Sequence, residues 1–243
     1  MKQMVFICGC SRSGTTTFVD LLNAHEKMAI GRERYGKRLR LHKRLTPDLF
    51  EKARFLQDYH ADDGHQKKLL PLYATLEKRY DNCTHIGDKI PNLFLHLDVI
   101  AQDFPDAKIM FLLRDIKDVA NSHEARRTRT LNNPKSKWPL WRDARNAVKE
   151  WNEGLQAMIN LGDKLDHYIV DYDRLYTDDI LLDEVANFLD IEPTQAMLSY
   201  WRDAATSRVE IDKKPRTNLT PDQLAYIEDN ANLTAYRHLL NRV

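Results

Sequence analysis

The chain is 243 residues long, 42% hydrophobic and 30% charged, with only 8 Gly and 9 Pro. That is ample for a hydrophobic core, and it excludes a disordered chain, a collagen-like fibre and a disulfide-stapled mini-protein. The 37 Lys and Arg against 36 Asp and Glu leave a net charge of +1, which argues against nucleic acid as a partner, but residues 1–80 alone carry sixteen basic and nine acidic side chains.

Val5–Cys8 is a run of strand formers ending at Gly9, and Phe18, Val19, Leu21 and Leu22 then mark the apolar stripe of a helix over 15–25. A brief second strand is expected at Met28–Ile30. Between 32 and 44, Arg32, Arg34, Lys37, Arg38, Arg40, Lys43 and Arg44 oppose only Glu33. This run reads either as a solvated helix face or as a patch that steers an anionic donor or holds an acidic acceptor. Thr46-Pro47-Asp48 has the form of an N-cap with Pro at the first helical position, predicting a helix to about His60. A helix over 63–81, a strand over 84–87 and a helix over 92–104 follow. Lys108–Leu113 contains IMFLL, apolar throughout, as suits a strand buried on both faces of a parallel sheet.

A helix is expected from about Ile116, and Trp141, Val148, Trp151, Leu155 and Met158 mark a long amphipathic one over 140–162. His167–Asp171 reads as a strand, Ile180–Leu189 as a helix, and Thr220-Pro221-Asp222 as the start of a terminal helix reaching about Leu240. Strands alternating with helices at crossover lengths predict one α/β domain over residues 1–243, with a central parallel sheet flanked by helices. Cys8, Cys10 and Cys83 lack CxxC spacing, and the apolar run MVFICGC is too short for a membrane span; both suit a cytoplasmic protein. The nine histidines show no HExxH or His-x-His spacing, so no metal is expected.

The loop between the first strand and helix is GCSRSGTT, Gly9 to Thr16. Its G-x-x-x-x-G frame is that of a P-loop, but Thr15 stands where the triphosphate-gripping Lys would be, and the positive charge lies inside the loop as Arg12. Converging N–H groups and a helix N-terminus still favour a phosphate-type ligand. The stretch CSRSGTTTFVDLLNAH, Cys10 to His25, resembles the opening of sulfotransferases that use 3′-phosphoadenosine 5′-phosphosulfate (PAPS). The resemblance implies a P-loop-like sulfotransferase fold in which Arg12, Ser13, Gly14, Thr15 and Thr16 cradle the donor's 5′-phosphosulfate. The desulfated product would be 3′-phosphoadenosine 5′-phosphate (PAP).

Further residues fit the same family. Arg114 ends the strongest strand and Ser122 follows eight residues later, the spacing at which the family binds the donor's 3′-phosphate. An ion pair from Arg114 to Asp115 or Asp118 is the alternative reading. VDYDRLYTDDILLDEVANFLDI resembles the family's Tyr-Glu-Asp-Leu segment, which implies Tyr172 near the adenosine. In GRERYG, Glu33 lies where protein-tyrosine and several carbohydrate sulfotransferases keep their catalytic Glu, although flanking arginines would weaken it as a base. GDKIPN resembles the family's Gly-Asp-Lys-Thr-Pro segment, implying that Lys89 reaches the bridging oxygen or the sulfonate. Arg12, Glu33 and Lys89 are thus the catalytic candidates, and no Arg-Lys-Gly tripeptide of the cytosolic small-molecule branch is present. The basic residues Arg208, Lys213, Lys214 and Arg216 are candidates to close over the donor. The expected reaction is sulfuryl transfer to a hydroxyl on a carbohydrate, tyrosine or small molecule; the alternatives are a P-loop kinase and a non-catalytic nucleotide-binding module.

Overall fold

The computed structural model describes residues 2–64, 67–133, 135–136, 138–212 and 218–241. Five runs form strands: β1 (Gln3–Cys8), β2 (Met28–Arg32), β3 (His85–Lys89), β4 (Lys108–Leu113) and β5 (His167–Asp171). All pair in parallel in the order β2-β3-β1-β4-β5, the α/β sheet expected from sequence. β1 is central, with Val5 opposite Gly87 on one side and Ile7 opposite Met110 on the other.

The helices among the described residues are α1 (Thr15–Asn23), α2 (Gly36–His42), α3 (Lys52–Leu56), α4 (Leu70–Arg79), α5 (Leu97–Asp103), α6 (Ile116–Asn132), α7 (Ala144–Leu161), α8 (Tyr172–Leu175), α9 (Ile180–Phe188), α10 (Gln195–Asp212), α11 (Pro221–Asn230) and α12 (Leu233–Leu240). Successive strand residues point to opposite faces. Phe6, Cys8, Ala29, Ile109 and Phe111 therefore join α2 to α7, α11 and α12 in one core. Val5, Ile7, Met28, Ile30, Met110 and Leu112 join α1, α9 and α10 in the other. This two-sided cover is why the β4 run is apolar without interruption.

Several helices are shorter than their periodicity suggests. After a 3₁₀ turn at Pro47–Phe50, Glu51 is extended (ψ 148°), so the helix expected to His60 is only α3. α4 starts at Leu70, with Pro71 in its first turn, not near 63. The segment 91–96 is 3₁₀ and α5 follows it. α7 starts at Ala144, where the Asp143 carboxylate accepts the Asn146 N–H at 2.9 Å. The terminal helix is two helices: Ala231 is extended, and Asn232 caps α12 by accepting the Ala235 N–H at 3.0 Å. At α7 and α12 the polar cap gives the first-turn N–H groups a partner and so fixes where the helix starts inside the apolar stripe.

Candidate active site

The loop Gly9–Thr16 leaves the C-terminal end of β1, where the chain order of the strands reverses. Ligands of open parallel sheets gather at such points. Gly14 caps α1 in the left-handed region (φ 87°), and a Cβ there would stand 2.0 Å from the Tyr172 ring. Only glycine lets the loop pass under that ring. Arg12 is also left-handed (φ 79°), which turns its side chain out of the loop toward α6. Ser13 is buried, and its Oγ has no hydrogen-bond partner among the described residues. A buried hydroxyl without a partner beside the first N–H groups of α1 fits a phosphate-type anion.

Arg114 follows β4, the neighbour of β1. Trp151 Nε1 donates to the Arg114 carbonyl at 3.0 Å, fixing the backbone there. The guanidinium donates to the Arg12 carbonyl (3.3 Å) and to the Asp118 carboxylate (3.2 Å), and its centre lies 4.8 Å from the Tyr172 ring. Its Nε is buried with no partner among the described residues. The Asp118 pair anticipated as an alternative therefore exists, and of the three guanidinium nitrogens only Nε is left without a partner among the described residues. Arg12 Nε donates to Ser122 Oγ at 3.0 Å, so Arg12, Arg114 and Ser122 converge. Burial and then the charges of Arg126 and Arg114 lower the Arg12 pKa, a sign of concentrated positive charge. Beside them Thr17, Tyr172, Tyr176, Tyr200 and Asp203 line a cleft of about 330 Å³.

Glu33 and Lys89 come from the ends of the next two strands. Lys89 ends β3, is buried, and donates to Glu33 Oε1 at 2.6 Å and to Thr16 Oγ1 at 3.3 Å. Glu33 follows β2 in the left-handed region (φ 57°), with its side chain about half exposed. The turn is held by the Glu33 N–H on the Lys89 carbonyl (2.8 Å) and by Gly64, whose N–H donates to the Arg34 carbonyl (2.7 Å). A Cβ on Gly64 would stand 2.1 Å from the Glu33 carbonyl oxygen. Asp88 lies beneath and accepts the Tyr35 N–H at 2.8 Å; burial pushes its pKa up to about 7.

The basic run at 32–44 is not a free patch. Arg32 pairs with Asp20, Arg38 with Asp62 (2.7 Å) and Arg44 with Asp103 (3.0 Å). Arg34 is fully buried, 3.6 Å from Asp63. Acidic partners distant in sequence thus neutralise most of the local excess, and neither arginine beside Glu33 is its ion partner. Residues 213–217, with Lys213, Lys214 and Arg216 of the C-terminal basic cluster, lie outside the described residues, as does the Arg208 side chain. Sequence reasoning passed over Ser11, Asn92, Arg142 and Glu150, which meet behind the loop. The available signal was Glu150 itself, an acid in the buried stripe of α7 between Ala147 and Gly154.

The sequence matches the model for the Sulfotransferase family over residues 4–195. It is 23% identical over 208 residues (82% of this chain and 69% of the relative) to a Caenorhabditis briggsae protein named "Putative protein-tyrosine sulfotransferase". The fold is similar to a sulfotransferase domain from the curacin biosynthetic pathway, with TM-score 0.54 and 15% identity over 92% of this chain and 82% of that one. It is also similar to sulfotransferase STF1 from Mycobacterium tuberculosis H37Rv, with TM-score 0.51 and 16% identity over 83% and 71%. The chain belongs to the sulfotransferase family. Sulfuryl transfer to an acceptor is accordingly its activity.

Proposed function

We propose that the chain takes the sulfuryl group from PAPS and passes it to a hydroxyl of an acidic acceptor, with Glu33 as general base and Lys89 and Arg12 as charge stabilisers. The observation that carries the reading is the contact of Glu33 Oε1 with Lys89 Nζ at 2.6 Å, with Thr16 Oγ1 on the same ammonium at 3.3 Å. A carboxylate and a buried ammonium thereby stand together beside the Gly9–Thr16 loop. The donor supplies a sulfuryl group whose bond to the 5′-phosphate oxygen breaks as a new bond to the acceptor oxygen forms. Glu33 takes the acceptor's hydroxyl proton, while Lys89 turns from Glu33 toward the departing oxygen and offsets its growing charge. Arg12 and the N–H groups of residues 13–16 hold the phosphosulfate. Arg114 and Ser122 hold the 3′-phosphate, and Tyr172 flanks the adenosine in the adjoining cleft.

The acidity of the acceptor rests on Arg126 and Arg129, whose charges reach Arg12. They lie one and two turns beyond Ser122 on α6, past the groups assigned to the donor. We place the reaction in the cytoplasm, because Cys8, Cys10 and Cys83 are buried free thiols. Among the described residues no helix is long and apolar enough to cross a membrane.

Glu33→Gln tests the base. Transfer from labelled PAPS to a panel of acidic and neutral phenols, glycans and peptides should fall by about 10²–10⁴-fold, with PAP affinity by calorimetry unchanged. Retained turnover, or lost PAP binding, would remove Glu33 from that role. Tight ATP binding with no response to PAP would overturn the donor assignment.

A further inference from the structure

Behind the donor loop lies a buried polar cluster that the proposed chemistry does not use. Glu150, from α7, is 5% exposed. Its Oε1 accepts from three separate segments: Ser11 Oγ at 3.2 Å, Asn92 Nδ2 at 2.6 Å and Arg142 Nη2 at 2.9 Å. Ser11 belongs to the loop, one residue before Arg12. Asn92 lies three residues after Lys89. Arg142 ends the connection between α6 and α7, donates to Ser11 Oγ as well (3.1 Å), and lies 5.1 Å and 5.6 Å from the rings of Trp138 and Trp141. Trp141 is 66% exposed. Ser11 is pinned from the other side too: its carbonyl accepts from His123 Nε2 at 3.2 Å, and the His123 ring meets Trp138 edge-on at 5.2 Å.

We propose that Glu150 is a positioning residue. It locks the donor loop, the Lys89 segment and the Trp138–Trp141 connection into one unit, so that filling the donor loop is felt at the exposed tryptophan. A carboxylate fits this task because one oxygen can accept several donors at once, and its charge balances the Arg142 guanidinium. A core contact alone would need only volume. Three hydrogen bonds converging on one oxygen from three functional segments set their relative positions to within a hydrogen bond's tolerance. The proposal rests on the donor reading above.

The test is PAP binding by the full chain, followed by calorimetry and by tryptophan fluorescence. Wild type should bind PAP with a change in emission that Trp141→Phe diminishes; failure of wild type to bind PAP would instead refute the donor reading. Glu150→Gln keeps the shape but leaves an N–H₂ or an uncharged oxygen against the same donors. Its PAP affinity should fall about 10–100-fold, the range for hydrogen bonds to a charged group, and the emission change should vanish. Ser11→Ala, which removes one partner, should cost less, and the Ser11→Ala/Glu150→Gln pair should lose less than the product of the two single losses. If Glu150→Gln fails to fold, Ser11→Ala and Asn92→Ala carry the test through the same two readouts. Wild-type PAP affinity together with a wild-type emission change in folded Glu150→Gln, or in both substitutes, would overturn the proposal.

Discussion

Replacing Gly14 by alanine tests how the loop between β1 and α1 is packed. The residue sits at φ 87°, where an L side chain costs about 1–2 kcal/mol. The new methyl would also stand 2.0, 2.5 and 2.6 Å from Cε2, Cδ2 and Cζ of Tyr172, too close for any real contact. The ring cannot retreat freely, because Arg114 lies 4.8 Å from it and Tyr176 packs edge-on at 5.5 Å. Overpacking of this kind costs roughly 1–3 kcal/mol, so Gly14→Ala should lose about 2–5 kcal/mol in all. For a chain of this size that is a fall in Tm of roughly 4–20 °C. The two contributions separate in a double-mutant cycle by urea unfolding. In a Tyr172→Ala background the clash is gone, and Gly14→Ala should cost only the backbone part, about 1–2 kcal/mol. An equal cost in both backgrounds would refute the packing of Tyr172 on the loop.

Removing the Ser122 hydroxyl should weaken PAP by about 5–10-fold while leaving AMP, which lacks the 3′-phosphate, within about twofold by calorimetry. Equal losses for the two nucleotides would take Ser122 away from the 3′-phosphate. Two buried groups should shape the pH dependence of stability in opposite directions. Asp88 is raised by burial from 3.8 to about 7, so its contribution is full below about pH 4 and is lost as pH rises toward 7. His123 is lowered by burial from 6.5 to about 4, so its contribution is present above about pH 6.5 and is lost as pH falls toward 4. Urea midpoints across pH 4–8 should show a smaller decline on the alkaline side in Asp88→Asn and on the acid side in His123→Gln. Curves that superpose on wild type would contradict both assignments.

The parts legible in the sequence are those in which a short segment satisfies its own physics. The β1 and β4 runs announce parallel strands because both faces are covered, and the glycine-framed loop announces a tight turn from strand to helix because Gly14 takes a left-handed conformation there. The resemblance set Arg12 at one phosphate of the donor and Arg114 with Ser122 at the other; only the folded chain shows Arg12 donating to Ser122 and Arg114 donating to the Arg12 carbonyl. Helix ends were less legible. The extended residues Glu51 and Ala231 interrupt stripes that periodicity reads as continuous, because each lets the flanking turns reach the core separately.

Charge was the least legible feature. A window around 32–44 shows seven cations and one acid, yet folding brings Asp20, Asp62, Asp63 and Asp103 to four of them. The same distance in sequence hid Glu150 from Ser11 and Lys89 from Glu33. The +1 total, split between a basic first third and an acidic remainder, determined only that the chain is not uniformly basic. By itself the sequence determined the class of fold, the order of strands and helices and the tight turn between β1 and α1, since these depend on local periodicity and backbone conformation. Which charges remain unpaired, which acid meets which cation and what supports the loop from behind were decided only by the tertiary structure. Coulomb attraction and hydrogen bonding act between neighbours in space, and the parallel sheet brings the C-terminal ends of its five strands to one edge.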